Sequence, residues 1–238
     1  MRLEGVLDCV TPIGEMKCPR CVQLIHRSAT QCPHCGFALQ DLDAQYGGQE
    51  RRMRRLSDDA GVLKMRERRK IKKWFDRFEA TFPQLFFSVY YGALDDVANI
   101  RQFGMWLLNR GVFEDVSRPN EGGVLLVIDV NSKTAFMAHG YLLDFYLTED
   151  DTFFILSKAH PHLLKGEHYK ALQEIITQLT AVLKKASKKA NRNPQKYQQL
   201  AGGGRRDQVV SRDPNQPEAA EVLLDPERGE EVGEEPML

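Results

Sequence analysis

Residues 56–190 predict an α/β fold, a three-layer α/β/α sandwich. Two observations carry this expectation. The stretch Val124-Leu-Leu-Val-Ile-Asp-Val130 is almost continuously apolar, as a strand covered on both faces must be. On either side of it, apolar residues recur at helical spacing, so helices alternate with strands and have a sheet to cover.

The helical stripes and strands follow in order. Ile71, Trp74, Phe75, Phe78 and Phe82 form one stripe, with Arg66, Arg68, Arg69, Lys70, Lys72 and Lys73 on the other faces and Pro83 as the stop. Leu85 to Tyr91 is short, aromatic and closed by Gly92, which predicts a buried strand. Val97, Ile100, Gly104, Leu107 and Leu108 restore helical spacing up to Gly111. After the central strand, Asn131-Ser132 predicts a tight turn into a second strand, Lys133 to His139, paired as a hairpin. Glu149 to Leu164 reads as helix until Pro161, and the final helix runs from about Glu167 to Ser187.

The flanks differ. Residues 41–55 contain Gly47-Gly48 and four arginines and read as a polar linker. Residues 191–238 hold a glycine triplet and a glutamate-rich end with few apolar residues, a composition expected to be disordered. The first residues lack the apolar run of a secretory signal, and no stretch is long enough to span a bilayer. A cytoplasmic location is the expectation. The formal net charge of zero gives no global reason for a nucleic-acid partner or an anionic membrane, so any such partner would have to be recognised by a local patch. The lysine and arginine runs read as solvated helix faces.

The sharpest signal lies in residues 16–40. Cys18-Pro-Arg-Cys21 and Cys32-Pro-His-Cys35-Gly36 are separated by ten residues. Each pair can turn two sulfurs toward one metal, with Pro19 and Pro33 presetting the turns and Gly36 supplying a left-handed position. Four thiolates suit structural zinc, and the spacing favours it over disulfides and over a redox Cys-X-X-Cys motif; a rubredoxin-like iron site is the alternative, with Phe37 alone to supply the aromatic surround such sites normally have. The stretch resembles short zinc ribbons of the double-knuckle type. So small a module has little core, and metal binding should supply most of its folding energy. Cys9 stands outside the two pairs. His160, His162 and His168 read as surface positions, because no cysteine or carboxylate completes a ligand set.

Several segments together resemble the TPM domain family: Leu56-Ser-Asp58-Asp-Ala60-Gly61-Val-Leu63, Gly123 to Ile128, Gly140-Tyr141 followed by Leu147-Thr148, and Gly166-Glu-His-Tyr169 before a long helix. The resemblance implies an α/β/α sandwich. It also implies calcium or another divalent cation held by carboxylates, in some members with acid-phosphatase-like activity, since a hard cation can polarise a phosphoryl oxygen. By position the carboxylates would be Asp58, Asp144 and Glu149, with Asp150 beside them. Gly122 stands where the family commonly has asparagine, and Ser132 and Lys133 where it has Asp-Arg. Each lost carboxylate removes a ligand and a charge together. The expectation is therefore a non-catalytic accessory protein that binds a protein partner through ribbon and domain. A metal-dependent hydrolase of phosphomonoesters is the alternative.

Overall fold

The computed structural model describes residues 15–26, 29–94 and 99–194. The expectations for the C-terminal tail, for Cys9 and for Val97 lie outside these residues. Five helices and eight strands follow in order among them. The first are β1 (Glu15–Lys17), β2 (Leu24–His26), α1 (Leu39–Tyr46), β3 (Arg51–Met53) and β4 (Leu56–Asp58). Then come α2 (Met65–Thr81), β5 (Phe86–Gly92), α3 (Ile100–Arg110) and β6 (Gly111–Phe113). The chain continues through β7 (Gly123–Asp129), β8 (Thr134–His139), α4 (Glu149–Leu164) and α5 (His168–Arg192).

The main sheet has the order β4-β5-β7-β8. The first three strands are parallel and β8 returns antiparallel through the expected hairpin. All seven residues of β5 and of β7 are buried, as sequences apolar but for Ser88 and the terminal Asp129 require. Alternation along each strand then divides the core. Phe87, Val89, Tyr91, Val124, Leu126 and Ile128 face α2, α4 and α5. Phe86, Tyr90, Leu125 and Val127 face α3, with Phe103, Trp106 and Leu107 upon them. The α/β/α sandwich is therefore present.

The two crossovers differ in hand. From β4 to β5 and from β5 to β7 the chain advances the same way across the sheet, yet α2 covers one face and α3 the other. Two equal steps with helices on opposite faces must have opposite handedness, so one is left-handed, against a strong general preference. Sequence patterning carries no information on this point.

Residues 41–55 are the main correction. The stretch expected as a linker completes α1 and contains β3, which pairs in parallel with β6. Leu42 and Met53 are buried in the second core layer. Asp43 accepts from Trp106 Nε1 at 3.2 Å and is clasped by the Arg110 guanidinium. Tyr46 packs its ring 5.3 Å from Phe103 and 5.4 Å from Trp106. Long-range packing and one ion pair overrode a polar local sequence.

Pro161 is the second correction. It lies in the last turn of α4 and does not interrupt it, because Ile155, Ala159 and Leu163 anchor that helix on both sides of the proline. His162 Nδ1 meets Glu167 Oε2 at 2.8 Å across the α4–α5 turn. α5 runs to Arg192, beyond the expected Ser187.

Candidate metal centre and the acidic positions

The two cysteine pairs are built alike. Cys18 donates its amide to the Gln23 carbonyl and accepts from Val22 N–H, both at 2.9 Å. Cys32 donates to the Phe37 carbonyl at 2.8 Å and accepts from Gly36 N–H at 2.9 Å. Each loop thus closes over the same interval, and each passes through a left-handed residue four positions after its first cysteine. That residue is Gly36 (φ 71°) in the second knuckle, as expected, and Val22 (φ 63°) in the first. A β-branched side chain is a poor occupant of that region, so nothing in the sequence marked Val22.

All four sulfurs lie within 4.8 Å of one another. Cys18 Sγ is 3.8 Å from Cys35 Sγ, and Cys21 Sγ is 3.7 Å from Cys32 Sγ. A disulfide needs about 2.05 Å. Tetrahedral coordination at about 2.3 Å per bond places sulfurs about 3.8 Å apart. The four positions therefore fit a single metal ion such as zinc. Burial pushes the Cys35 thiol up to about 12 and raises that of Cys18 as well. Burial also opposes ionisation of Cys32, but amides of Cys35 and His34 and the neighbouring thiols bring it down to about 6. One thiolate forms readily; further negative charge in so small a space calls for a cation.

The module is not isolated. Cys18, Ile25, Cys32 and Phe37 belong to the same buried cluster as Leu42, Trp106 and Leu107. Lys17 on β1 pairs with Glu149 at the start of α4, and Arg101 on α3 approaches the same carboxylate at 3.9 Å.

The acidic positions are not brought together. Asp58 ends β4 at the level of Ile128 on β7, whereas His139, which precedes Asp144, pairs with Val124. Four residues of rise and three strand spacings separate Asp58 from His139, about 13 Å along and about 14 Å across the sheet. The Asp58 side chain is fully buried and committed: it accepts from the amides of Val62 and Leu63, each at 3.0 Å, and from Arg68 Nη2 at 2.7 Å. Asp144 Oδ1 lies 3.2 Å from His139 Nδ1. Glu149 binds the two cations just named, and Asp150 is exposed in the first turn of α4. Thr148 and Asp151 cap that helix reciprocally, through Asp151 N–H to Thr148 Oγ1 at 3.2 Å and Thr148 N–H to Asp151 Oδ2 at 3.0 Å. Among the described residues the cysteines are the one group of three or more metal-ligating side chains.

Sequence reasoning passed over Asp129, which ends β7. It accepts from the amides of Leu94, Asn131 and Ser132 at 3.0–3.2 Å and from the Ser132 hydroxyl, fixing the hairpin turn. Burial works against the charge, but these donors hold its carboxyl below the usual range. The signal was the Asp-X-Asn-Ser sequence, a turn in which an aspartate binds amides two and three residues on.

No curated protein matches the chain. Among solved structures it is similar to the N-terminal domain of a protein from P. gingivalis, at 20% identity and a TM-score of 0.44, covering 55% of this chain and 82% of that one. It is also similar to the N-terminal domain of a Corynebacterium glutamicum protein, at 11% identity and a TM-score of 0.44, covering 54% and 79%. The TPM domain matches residues 56–182, a span that begins with β4, takes in the whole main sheet and ends within α5. That match covers more than half of the 238 residues, so the chain belongs to the TPM domain family.

Proposed function

We propose that the chain is a non-catalytic accessory protein that binds a protein partner, with one structural zinc held by Cys18, Cys21, Cys32 and Cys35. The observation that supports this most is the division of labour among its metal-ligating residues. The cysteines form a closed four-ligand set, which leaves no position for a reacting water. The carboxylates that a TPM-type cation site would use are apart, and Asp58 is consumed by Arg68 and two amides. A hard cation needs several oxygen ligands converging on one point, with lone pairs to spare. Val22 and Leu24 stand half-exposed on the ribbon and supply the contact surface of this reading.

Metal analysis and a phosphomonoesterase assay on one preparation test it. Zinc at one equivalent per chain, no turnover with calcium, magnesium or manganese, and a captured partner lost on Leu24→Asp are expected. Metal-dependent turnover that disappears in Asp58→Asn would overturn the proposal in favour of a hydrolase.

A further inference from the structure

The layer formed by α2, α4 and α5 carries a surface that neither the sandwich nor the ribbon explains. Seven lysines and arginines fall within α2, and among the described residues only Arg68 of these has an ion-pair partner, Asp58. Arg66, Lys70, Lys73 and Arg77 recur at i, i+4, i+7 and i+11, opposite Ile71, Phe75 and Phe78, and all four are exposed. The stripe is about 16 Å long at the helical rise. The acids of the same helix are engaged elsewhere: Glu79 by Arg55 and Arg118, Asp76 by Arg55, and Glu67 by the Lys64 amide.

α5 repeats the arrangement. Lys184, Lys185 and Lys188 are exposed opposite Leu179 and Leu183, so they face away from the sheet as the α2 stripe does. The two helices touch where Trp74 stacks on Tyr169 at 4.8 Å, with Lys70 over the Tyr169 ring. α4 completes the layer and presents apolar side chains to solvent: Phe153 is 76% exposed, Leu164 51% and Phe154 46%. Met65, at the head of α2, is 67% exposed. The zero net charge of the chain conceals this polarity. Residues 1–204 hold 29 Lys and Arg against 23 Asp and Glu.

We propose that this outer face of the α2–α5–α4 layer docks on an anionic lipid surface. Cations with no ion pair among the described residues, on the same helical layer as exposed phenylalanine, leucine and methionine, are the composition of an interfacial contact, in which cations meet headgroups and the apolar side chains enter the acyl boundary. A single-stranded nucleic acid would want a groove and free aromatic platforms. The stripe instead lies on a convex helix, and Trp74 and Tyr169 are stacked on each other. Attachment would be peripheral, since no helix among the described residues is long and apolar enough to cross a membrane. The proposal is independent of the accessory role above.

The test uses the full chain in co-sedimentation with vesicles of phosphatidylcholine alone and of phosphatidylcholine with one-third phosphatidylglycerol. Binding to the anionic vesicles alone, weakening as salt rises, is expected. The triple variant Arg66→Glu, Lys70→Glu, Lys73→Glu should lower the affinity by at least about a hundredfold, the loss of three cations at about 1 kcal/mol each, to which the new carboxylates add repulsion. Phe153→Asp should weaken binding while leaving its salt dependence in place. All four side chains are exposed, so unchanged circular dichroism is expected in both variants. Absence of partition into anionic vesicles, indifference to the triple reversal, or tighter binding of a polyuridine RNA or of polyglutamate through the same three cations would overturn it.

Discussion

Gly140 turns the chain out of β8 directly above the 120–122 loop, and a Cβ there would overlap the carbonyl oxygens of Asn120 and Glu121. Backbone atoms of a hydrogen-bonded loop cannot retreat as a flexible side chain can. Gly140→Ala should therefore cost about 1–3 kcal/mol by forcing that loop off the sheet, measured as a drop in the chemical-denaturation midpoint. Val22 gives the opposite sign. It occupies the position that Gly36 fills in the second knuckle, with a left-handed backbone that costs an L-residue about 1–2 kcal/mol. Replacing it by glycine returns about 0.5–1 kcal/mol to backbone entropy. Val22→Gly should therefore stabilise the ribbon by up to about 1 kcal/mol, seen as slower metal release to a competing chelator. Gly36→Val should speed release. Equal release rates in all three proteins would show that the left-handed turns are not under strain.

At the level of elements, what the sequence disclosed and what it hid separate cleanly. β5, β7 and the stripes of α2 and α5 are long, apolar or strictly periodic, so local pattern alone identified them. The cysteine knuckles were legible for a different reason, since ligand spacing is itself a local property. α1 was not. Leu42 is its only buried residue, and what holds the helix is Asp43 reaching Trp106 and Arg110, more than sixty positions away. β3 is Arg-Arg-Met and exists because β6 offers it a parallel partner. Matching positions to the TPM pattern grouped Asp58 with Asp144 and Glu149, although strand order puts Asp58 at the far end of the sheet from His139, beside which Asp144 lies. Leu42→Ala decides between linker and element: a core helix predicts a loss of about 2–5 kcal/mol, a linker almost none. The α4–α5 turn offers a pH test. Hydrogen bonds from Lys170 and His162 hold the Glu167 carboxyl down to about 2. Its carboxylate therefore supports the fold above the ordinary value of 4.5, and that support is lost as pH falls from there toward 2. Glu167→Gln should flatten this part of the stability profile, and a variant curve parallel to the native one would refute the assignment.

On the scale of the molecule, the sandwich has two cores with unequal supports. The face under α2, α4 and α5 is built from long helices and from side chains of the sheet itself. The opposite face has one full-length helix, α3, and completes its cover with α1, β3 and the cysteine module. Cys18, Cys32, Ile25 and Phe37 are part of that cover, so whatever organises the cysteines also seals Trp106, which is only 2% exposed. A module this small does not hold its shape on apolar contacts alone. If the four cysteines hold the proposed ion, its withdrawal by a strong chelator should open the second face before the first. Trp106 would pass from a buried site to solvent, and its emission would shift to the red. Trp74, stacked on Tyr169 in the other layer, would keep its environment. Trp106→Phe should then abolish the chelator response while Trp74→Phe preserves it, and far-ultraviolet circular dichroism should retain the signal of α2, α4 and α5. Loss of all helical signal in one step would mean instead that the two faces fold as a single cooperative unit. An unchanged emission spectrum would mean that the packing of Ile25, Phe37 and Leu42 suffices without the ion. Only the ordered sequence, second face first, is consistent with a metal site that serves as the keystone of one half of the core.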